Sequence, residues 1–345
     1  MVYLDHAATT DLLACAKSKI IEVFEQWGSG KYANAGGLYK SANNSAIYLE
    51  QLRNKVKEMT NMPYVVFTSC ASESNNMIFN HAKKVVTTKY EHPSTAKNPK
   101  AILLDSIKNL EQELEKEPCI FSICGVHHET GQIRNTETLY NLCKKHYCKI
   151  HIDASQMKTL PAQADFLTLS SHKIGGPIGI AALCSHEPIK AILFGGKQEN
   201  DMRAGTQALP LISGFVEALE YMQLFDKTHF QKLKKALKEQ IEPSYMLENY
   251  AQDNFADHIV CLVSQFPASE IAAFMDMNNI AVAIGSACTS GALDGMKILE
   301  SFDNLPENIR NGIRVSFGYK TTLAETNYFC QKLNAFFCKR TSKAL

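Results

Sequence analysis

Lys173 stands in "DFLTLSSHKIGGPIG" (165–179), after an apolar stretch and before two glycines and a proline. An ammonium at the end of a buried strand is costly unless it is paired, neutral or covalently used. Twenty residues earlier, "KIHIDAS" (149–155) ends a second apolar run on Asp153. A buried carboxylate there needs a cationic or donor partner. Lys173 itself would serve, as a structural pair. A pyridinium nitrogen would also serve, the arrangement in which an aspartate supports a cofactor carried by a lysine. Upstream, "YVVFTS" (64–69) runs into "CASESNN", where Thr68, Ser69 and Ser72 crowd an expected helix N-terminus. Free backbone N–H groups and hydroxyls suit an anion such as phosphate; ordinary N-capping is the plainer reading. His92, in "KYEHPST", could stack on a ring or shuttle protons, or be a plain core or surface residue. "AIGSACTSGALDG" (283–295) surrounds Cys288 with small and polar residues, a setting that could carry a reactive thiolate to a substrate, with a structural thiol the equal alternative. Cys143, His146, Cys148 and His151 in "CKKHYCKIH" have ligand-like spacing. A helix-to-strand change inside that stretch would turn them apart, so no metal site is expected.

These groups need a scaffold of strand ends. Between about residues 60 and 185, β-rich runs begin at 64, 83, 101, 119, 149, 165 and 178, with helical stretches such as 137–147 between some of them. That alternation predicts an α/β fold with a mainly parallel central sheet, and ligands bind outside the carboxyl ends of such strands. An amphipathic pattern over 213–241 reads as a connecting helix with a possible kink. Beyond it, 256–264, 268–279 and 313–318 predict a smaller α+β domain. The expected division is 12–225 for the large domain, and 1–11 with 226–345 for the small one.

The 345 residues, 45% of them hydrophobic, can bury a large core. A net charge of +1 and the lack of a basic block give no footing for nucleic acid, and no apolar run is long enough to span a bilayer. Eleven cysteines without framework spacing, and an opening "MVYLDHAATT" without a secretory apolar core, predict a reducing cytoplasm.

Eight motifs in order resemble the cysteine desulfurases, the NifS/IscS-like branch of class V aminotransferase-fold enzymes that use pyridoxal 5'-phosphate (PLP). They are "YLDHAATT" (3–10), "TSCASESNN" (68–76), "EH" (91–92), "HIDASQ" (151–156), "SSHKIGGPIG" (170–179), "MRAGTQ" (202–207), "GSACTSG" (285–291) and "IRVSFG" (313–318). The resemblance implies the aspartate aminotransferase-like fold type I and a role for each matching position. Lys173 would carry PLP as an internal aldimine. Asp153 would pair the pyridine nitrogen, His92 would stack on the ring and move protons, and Gln156 would bond the phenolic oxygen. Ala71, Ser72, Ser170 and His172 would hold the phosphate, with Thr206 reaching it from the second subunit of a homodimer. Asn34 and Arg314 would bind the carboxylate of L-cysteine, and His128 would contact the cofactor or substrate. Cys288 would take the sulfur as a persulfide, releasing alanine, and pass it to an acceptor protein in iron–sulfur cluster assembly or tRNA thiolation. The longer "GSACTSG" loop looks like the class whose loop hands sulfur to a partner. His127 and His128 stand where the family usually has two asparagines, Cys70 where it has glycine, and Ala35 where it has proline. A selenocysteine lyase, a degenerate PLP-fold scaffold and a transaminase are the alternatives, the last leaving Cys288 without a task.

Overall fold

The computed structural model describes residues 1–285 and 296–341. In chain order its first elements are β1 (Val2–Tyr3), α1 (Ala14–Gly28), α2 (Lys40–Thr60), β2 (Tyr64–Thr68), α3 (Ala71–His81), β3 (Val85–Thr88), α4 (Pro93–Ala96), β4 (Ala101–Leu104), α5 (Leu110–Leu114), β5 (Ile120–Cys124) and α6 (Thr136–Lys145). There follow β6 (Lys149–Asp153), β7 (Phe166–Ser170), β8 (Ala181–Ser185), α7 (Leu209–Leu224), α8 (Thr228–Lys238), β9 (Ile259–Ser264), α9 (Ala268–Met277), β10 (Ile280–Ala281), β11 (Asn311–Ser316) and α10 (Leu323–Thr341). Two compact units divide them. One comprises Asp11–Gly125 and Asn135–Phe225, the other Met1–Thr10, Val126–Arg134 and Asp226–Leu345.

The larger unit is built on a seven-stranded sheet in the order β2-β8-β7-β6-β5-β3-β4. All seven stretches expected as strands between 64 and 185 form. Every neighbouring pair is parallel except the two made by β8. The connection over 171–180 explains that exception, because a parallel crossover needs about a dozen or more residues. Strands β5, β7 and β8 are buried at every position, as expected for strands covered on both faces. Successive residues of a strand point to opposite faces. Accordingly Val66 packs with Met77, Ile78 and Phe79 of α3, while Phe67 meets Phe215 of α7 edge-on, ring centroids 6.5 Å apart. Gly214 lets α1 lie close on α7, since a Cβ there would sit 2.5 Å from Ile20 Cγ1.

The stretch 213–241 is two helices rather than one. The chain leaves α7 at Phe225 in an extended conformation, φ −64° and ψ 133°. Asp226 then accepts the backbone N–H of Thr228 at 3.0 Å and its hydroxyl at 2.7 Å, starting α8. Hydrophobic periodicity runs through the break, because both helices present an apolar stripe.

The smaller unit holds the antiparallel pair β9–β11, the short parallel pair β1–β10, and α8, α9 and α10. Residues 126–134, inside the span expected for the large domain, cluster with this unit. Gly131 accepts the Ala256 N–H at 2.8 Å and Ile133 donates to Asn254 at 2.8 Å.

One buried ion pair fixes the loop ahead of Thr206. Glu199, Asn200 and Asp201 are three successive non-glycine residues with left-handed φ of 49°, 54° and 62°, a conformation that needs outside support. Glu199 supplies it. Its carboxylate accepts Arg53 Nη1 at 2.6 Å, Arg53 Nη2 at 3.0 Å and the Phe67 N–H at 2.9 Å. Removing one partner of a buried pair leaves the other charge uncompensated. Arg53→Leu is expected to lower the unfolding free energy in urea by about 3–5 kcal/mol. Lys55→Met, which breaks only the half-exposed pair with Glu220, should change it by about 1 kcal/mol or less. Equal losses in the two variants would contradict the assignment.

Candidate active site

The polar strand ends of the larger unit gather at the carboxyl edge of its sheet. Asp153 ends β6, and Ser170 ends the neighbouring β7. The chain then makes one tight turn, Ser171–Lys173. Gly175 follows with φ +88°, and a Cβ at Gly176 would sit 2.3 Å from Ser171 Oγ. The "GG" pair therefore lets the backbone fold back directly beside Lys173.

Asp153 is buried. Burial opposes its ionisation, but the charge of Lys173 and hydrogen bonds from Ser155 and Asn75 outweigh it and hold the carboxyl below its usual range. Ser155 N–H donates to Oδ1 at 2.9 Å, and Asn75 Nδ2 donates to Oδ2 at 2.8 Å. Asn75 also donates to Ser94 Oγ at 2.9 Å, and Ser94 Oγ lies 2.8 Å from His92 Nδ1. Ser94 N–H donates to the same Nδ1 at 3.2 Å. Nδ1 is thus the acceptor, and the ring proton of neutral His92 belongs on Nε2. Burial and then the Lys173 charge push His92 below its ordinary value, with Asp153 opposing. His92 is held from behind as well. Glu91 accepts the Cys124 N–H at 2.8 Å and the Thr88 hydroxyl at 3.1 Å, fastening its loop to β5.

The turn into α3 fits an anion. Its N-cap is Cys70, which makes no side-chain capping bond. The Ser69 hydroxyl is taken instead by Glu73, at 2.6 Å, and Thr68 Oγ1 lies 2.8 Å from Ser74 Oγ. Helix geometry leaves the Ala71 and Ser72 amides without an acceptor inside α3, as phosphate binding requires. Glu73 pairs with Arg203 at 2.9 Å, which fastens "MRAGTQ" to α3. Thr206, within that motif, is exposed. His172 is pushed down to about 4 by burial and by the Lys173 charge, so it meets an anion as a neutral donor. Ser170 and Gln156 are buried. Asn34 is exposed, its Oδ1 accepting the Gly36 N–H at 3.0 Å. An ionised carboxylate, a lysine, a neutral histidine and an open helix N-terminus form a donor set that fits PLP.

In the smaller unit, Arg314 is buried on β11. Its Nη2 donates to Asp5 Oδ1 at 2.6 Å and its Nη1 to the His128 carbonyl at 2.7 Å, while Nε has no acceptor among the described residues. The rings of His127 and His128 lie 4.6 Å apart, tilted by 31°. His127 Nδ1 accepts the N–H groups of Glu129 and Thr130, so this histidine shapes its own turn. Cys288 lies outside the described residues.

Sequence reasoning missed Asn75 and Ser94. Asn75 follows Ala71 by one helical turn on the same face, which is the signal that could have found it. Ser94 carries no signal, because its position depends on the four-residue helix α4. The ligand-like residues of 143–151 disperse. His146 pairs with Glu111 at 3.1 Å, and Cys148 Sγ lies 3.6 Å from Cys119 Sγ. Cys143 is buried on α6, and His151 is clamped between Ser122 Oγ at 2.8 Å and Thr168 Oγ1 at 2.9 Å.

A helix-covered, mainly parallel sheet with this donor set at its carboxyl edge defines a PLP enzyme of fold type I. The model of the family "Aminotransferase class-V" matches residues 2–329, and the chain belongs to that family. Among its relatives, the mitochondrial cysteine desulfurase of Saccharomyces cerevisiae is 28% identical over 95% of this chain and 73% of its own length. The cysteine desulfurase IscS of Buchnera aphidicola (strain 5A) is 29% identical over 94% of this chain and 89% of its own. A NifS-like protein from Rickettsia africae superposes with a TM-score of 0.82 at 22% identity, covering 98% of this chain and 99% of its own. The resemblance carried by the eight motifs stands.

Burial pushes His151 down to about 4, with Asp153 opposing, so the folded protein keeps it neutral where an unfolded histidine takes up a proton. The stability that this neutrality requires is intact above about pH 6.5 and falls as pH drops toward about 4. Urea unfolding of the wild type should lose on the order of 3 kcal/mol across that window from this group. His151→Asn should be less stable at pH 7 yet show a flatter slope below it; an unchanged slope would contradict the assignment.

Proposed function

We propose that the protein is a cysteine desulfurase that converts L-cysteine to L-alanine and carries the sulfur as a persulfide on Cys288. The observation that carries this reading is the ionised Asp153 set beside Lys173 with a neutral His92. Relatives called cysteine desulfurase, aligned along most of the chain, support it.

In this reading Lys173 holds the cofactor. PLP, when bound, supplies an electron sink for the substrate Cα. Asp153 keeps the ring nitrogen protonated, which its low proton affinity and its two donors favour. His92 covers the ring, and because Nδ1 is engaged with Ser94, Nε2 is the nitrogen that carries the transferable proton. Ala71, Ser72, Ser170 and His172 hold the phosphate, and Gln156 the phenolic oxygen. Asn34 and Arg314 bind the substrate carboxylate; the guanidinium is suited to that task, and its Nε has no acceptor among the described residues. His128 contacts cofactor or substrate. The Lys173 amine, once released, takes the Cα proton. Cys288 attacks as a thiolate on the substrate sulfur: an S–S bond forms, the C–S bond breaks, one proton is delivered to Cβ, and Lys173 returns the proton it took to Cα, which completes alanine.

The protein acts as a homodimer, with Thr206 completing the partner's phosphate site. Exposed Leu38, Phe194 and Ile178 on the larger unit support an interface there. Cys288 passes sulfur to an acceptor protein, an iron–sulfur scaffold or a tRNA-thiolation enzyme. A cytoplasmic setting is supported by seven buried cysteines among the ten described. Among the described residues no helix is long and apolar enough to cross a membrane.

The test is alanine formation from L-cysteine with a thiol reductant present. PLP-loaded wild type should make alanine, and Cys288→Ala should lose about a hundredfold or more while keeping its visible absorbance. Activity that survives Cys288→Ala would remove the nucleophile from the account.

A further inference from the structure

A second lysine stands behind the first. After β6 the chain turns at Ala154–Met157, closed by the Met157 N–H donating to the Ala154 carbonyl at 2.9 Å. This turn sends Lys158 back toward the β7 end. Its Nζ donates to the backbone carbonyl of Lys173 at 2.7 Å. That carbonyl is the last of the short turn Ser171–Lys173, which the Ile174 N–H closes by donating to the Ser171 carbonyl at 3.0 Å, so the bond from Lys158 gives it an acceptor role that the turn does not. Lys158 therefore ties the residue after Gln156 and Met157 to the residue whose amine does the chemistry.

We propose that Lys158 is a positioning residue for the cofactor lysine, its bond to the Lys173 carbonyl fixing that backbone and setting a second amine beside the first. The inference rests on the reading of Lys173 as the PLP lysine, and it adds a residue that this reading does not use.

The physical basis is mutual. Burial and, after it, the charge of Lys173 together push the Lys158 ammonium down to about 7. Interaction between two titrating groups is reciprocal, so a protonated Lys158 disfavours a proton on Lys173 to the same degree. The other charged and titratable groups in this field are Asp153, His92 and His172, each of which feels Lys173. Asp153 acts in the opposite sense from Lys158, favouring positive charge. Two cationic groups close together are a recognised way to keep a catalytic lysine neutral. A neutral Lys173 nitrogen is the form that accepts the Cα proton.

The experiment uses the full chain loaded with PLP: wild type, Lys158→Met and Lys158→Arg. The visible absorbance of the bound cofactor is titrated against pH, and borohydride reduction with peptide mapping identifies the lysine that carries it. Mapping should give Lys173 in all three proteins. The Lys158→Met titration should lie about one pH unit above wild type, a tenfold gain in proton affinity. Lys158→Arg, which keeps both donor and charge, should titrate at or below wild type. A purely structural Lys158 would alter cofactor loading and thermal stability without moving the titration, and that result overturns the inference while leaving Lys173 in place. If mapping places the cofactor on a residue other than Lys173, the reading of Lys173 fails first. Should Lys158→Met not fold, Lys158→Gln keeps a donor to the carbonyl and removes only the charge. The same upward shift is expected, and an unshifted titration overturns the proposal.

Discussion

A carboxylate kept ionised inside the protein is the constraint on which the rest depends. Asp153 is removed from water at the end of a central strand, and burial alone would protonate it. Lys173 supplies the opposing charge, and Ser155 and Asn75 supply two donors. Each donor fixes a different element. Ser155 fixes the turn after β6, and Asn75 fixes the first turns of α3. The open N-terminus of α3 and the ionised carboxylate are thereby held in one geometry by a single asparagine. Through Ser94 the same asparagine orients His92 and sets which ring nitrogen carries the proton.

The sheet makes this economical in sequence. Neighbouring parallel strands bring their carboxyl ends to one edge, so residues twenty positions apart in β6 and β7 become neighbours. Strand β8 returns antiparallel because the turn at Lys173 is short, and the two glycines in that turn permit the close approach of Ser171 and the sharp reversal. A stronger propensity for helix or strand at 171–179 would move the amine away from Asp153. The buried pair Arg53–Glu199 does the comparable task for the strained loop that leads to Arg203 and Thr206.

Much of this was legible in the sequence for a physical reason. Buried strands of a helix-covered sheet are apolar runs with polar ends, so Asp153 and Lys173 stood out against β6 and β7. Helix α3 was legible for the same reason, since a strand that stops at Thr68 and Ser69 must feed a helix start. What periodicity could not carry was relations between elements. The stripe over 213–241 continues across Phe225, so one connecting helix with a kink was the expectation where Asp226, accepting from Thr228, starts a second. Residues 126–134 belong with the smaller unit through backbone hydrogen bonds to 254 and 256, which leave no trace in side-chain pattern. Asn75, Ser94 and Lys158 act through contacts made only after folding. The spacing of Cys143, His146, Cys148 and His151 was a coincidence of a helix end meeting a strand.

The central claim is that Asp153, ionised and held by Asn75 and Ser155, keeps the ring nitrogen of the cofactor protonated. The nitrogen-15 chemical shift of PLP labelled at that nitrogen, bound to the full chain at neutral pH, measures this directly. The account predicts a protonated nitrogen in the wild type and an unprotonated one in Asp153→Asn. An unprotonated nitrogen in the wild type, or the same shift in both proteins, would contradict it.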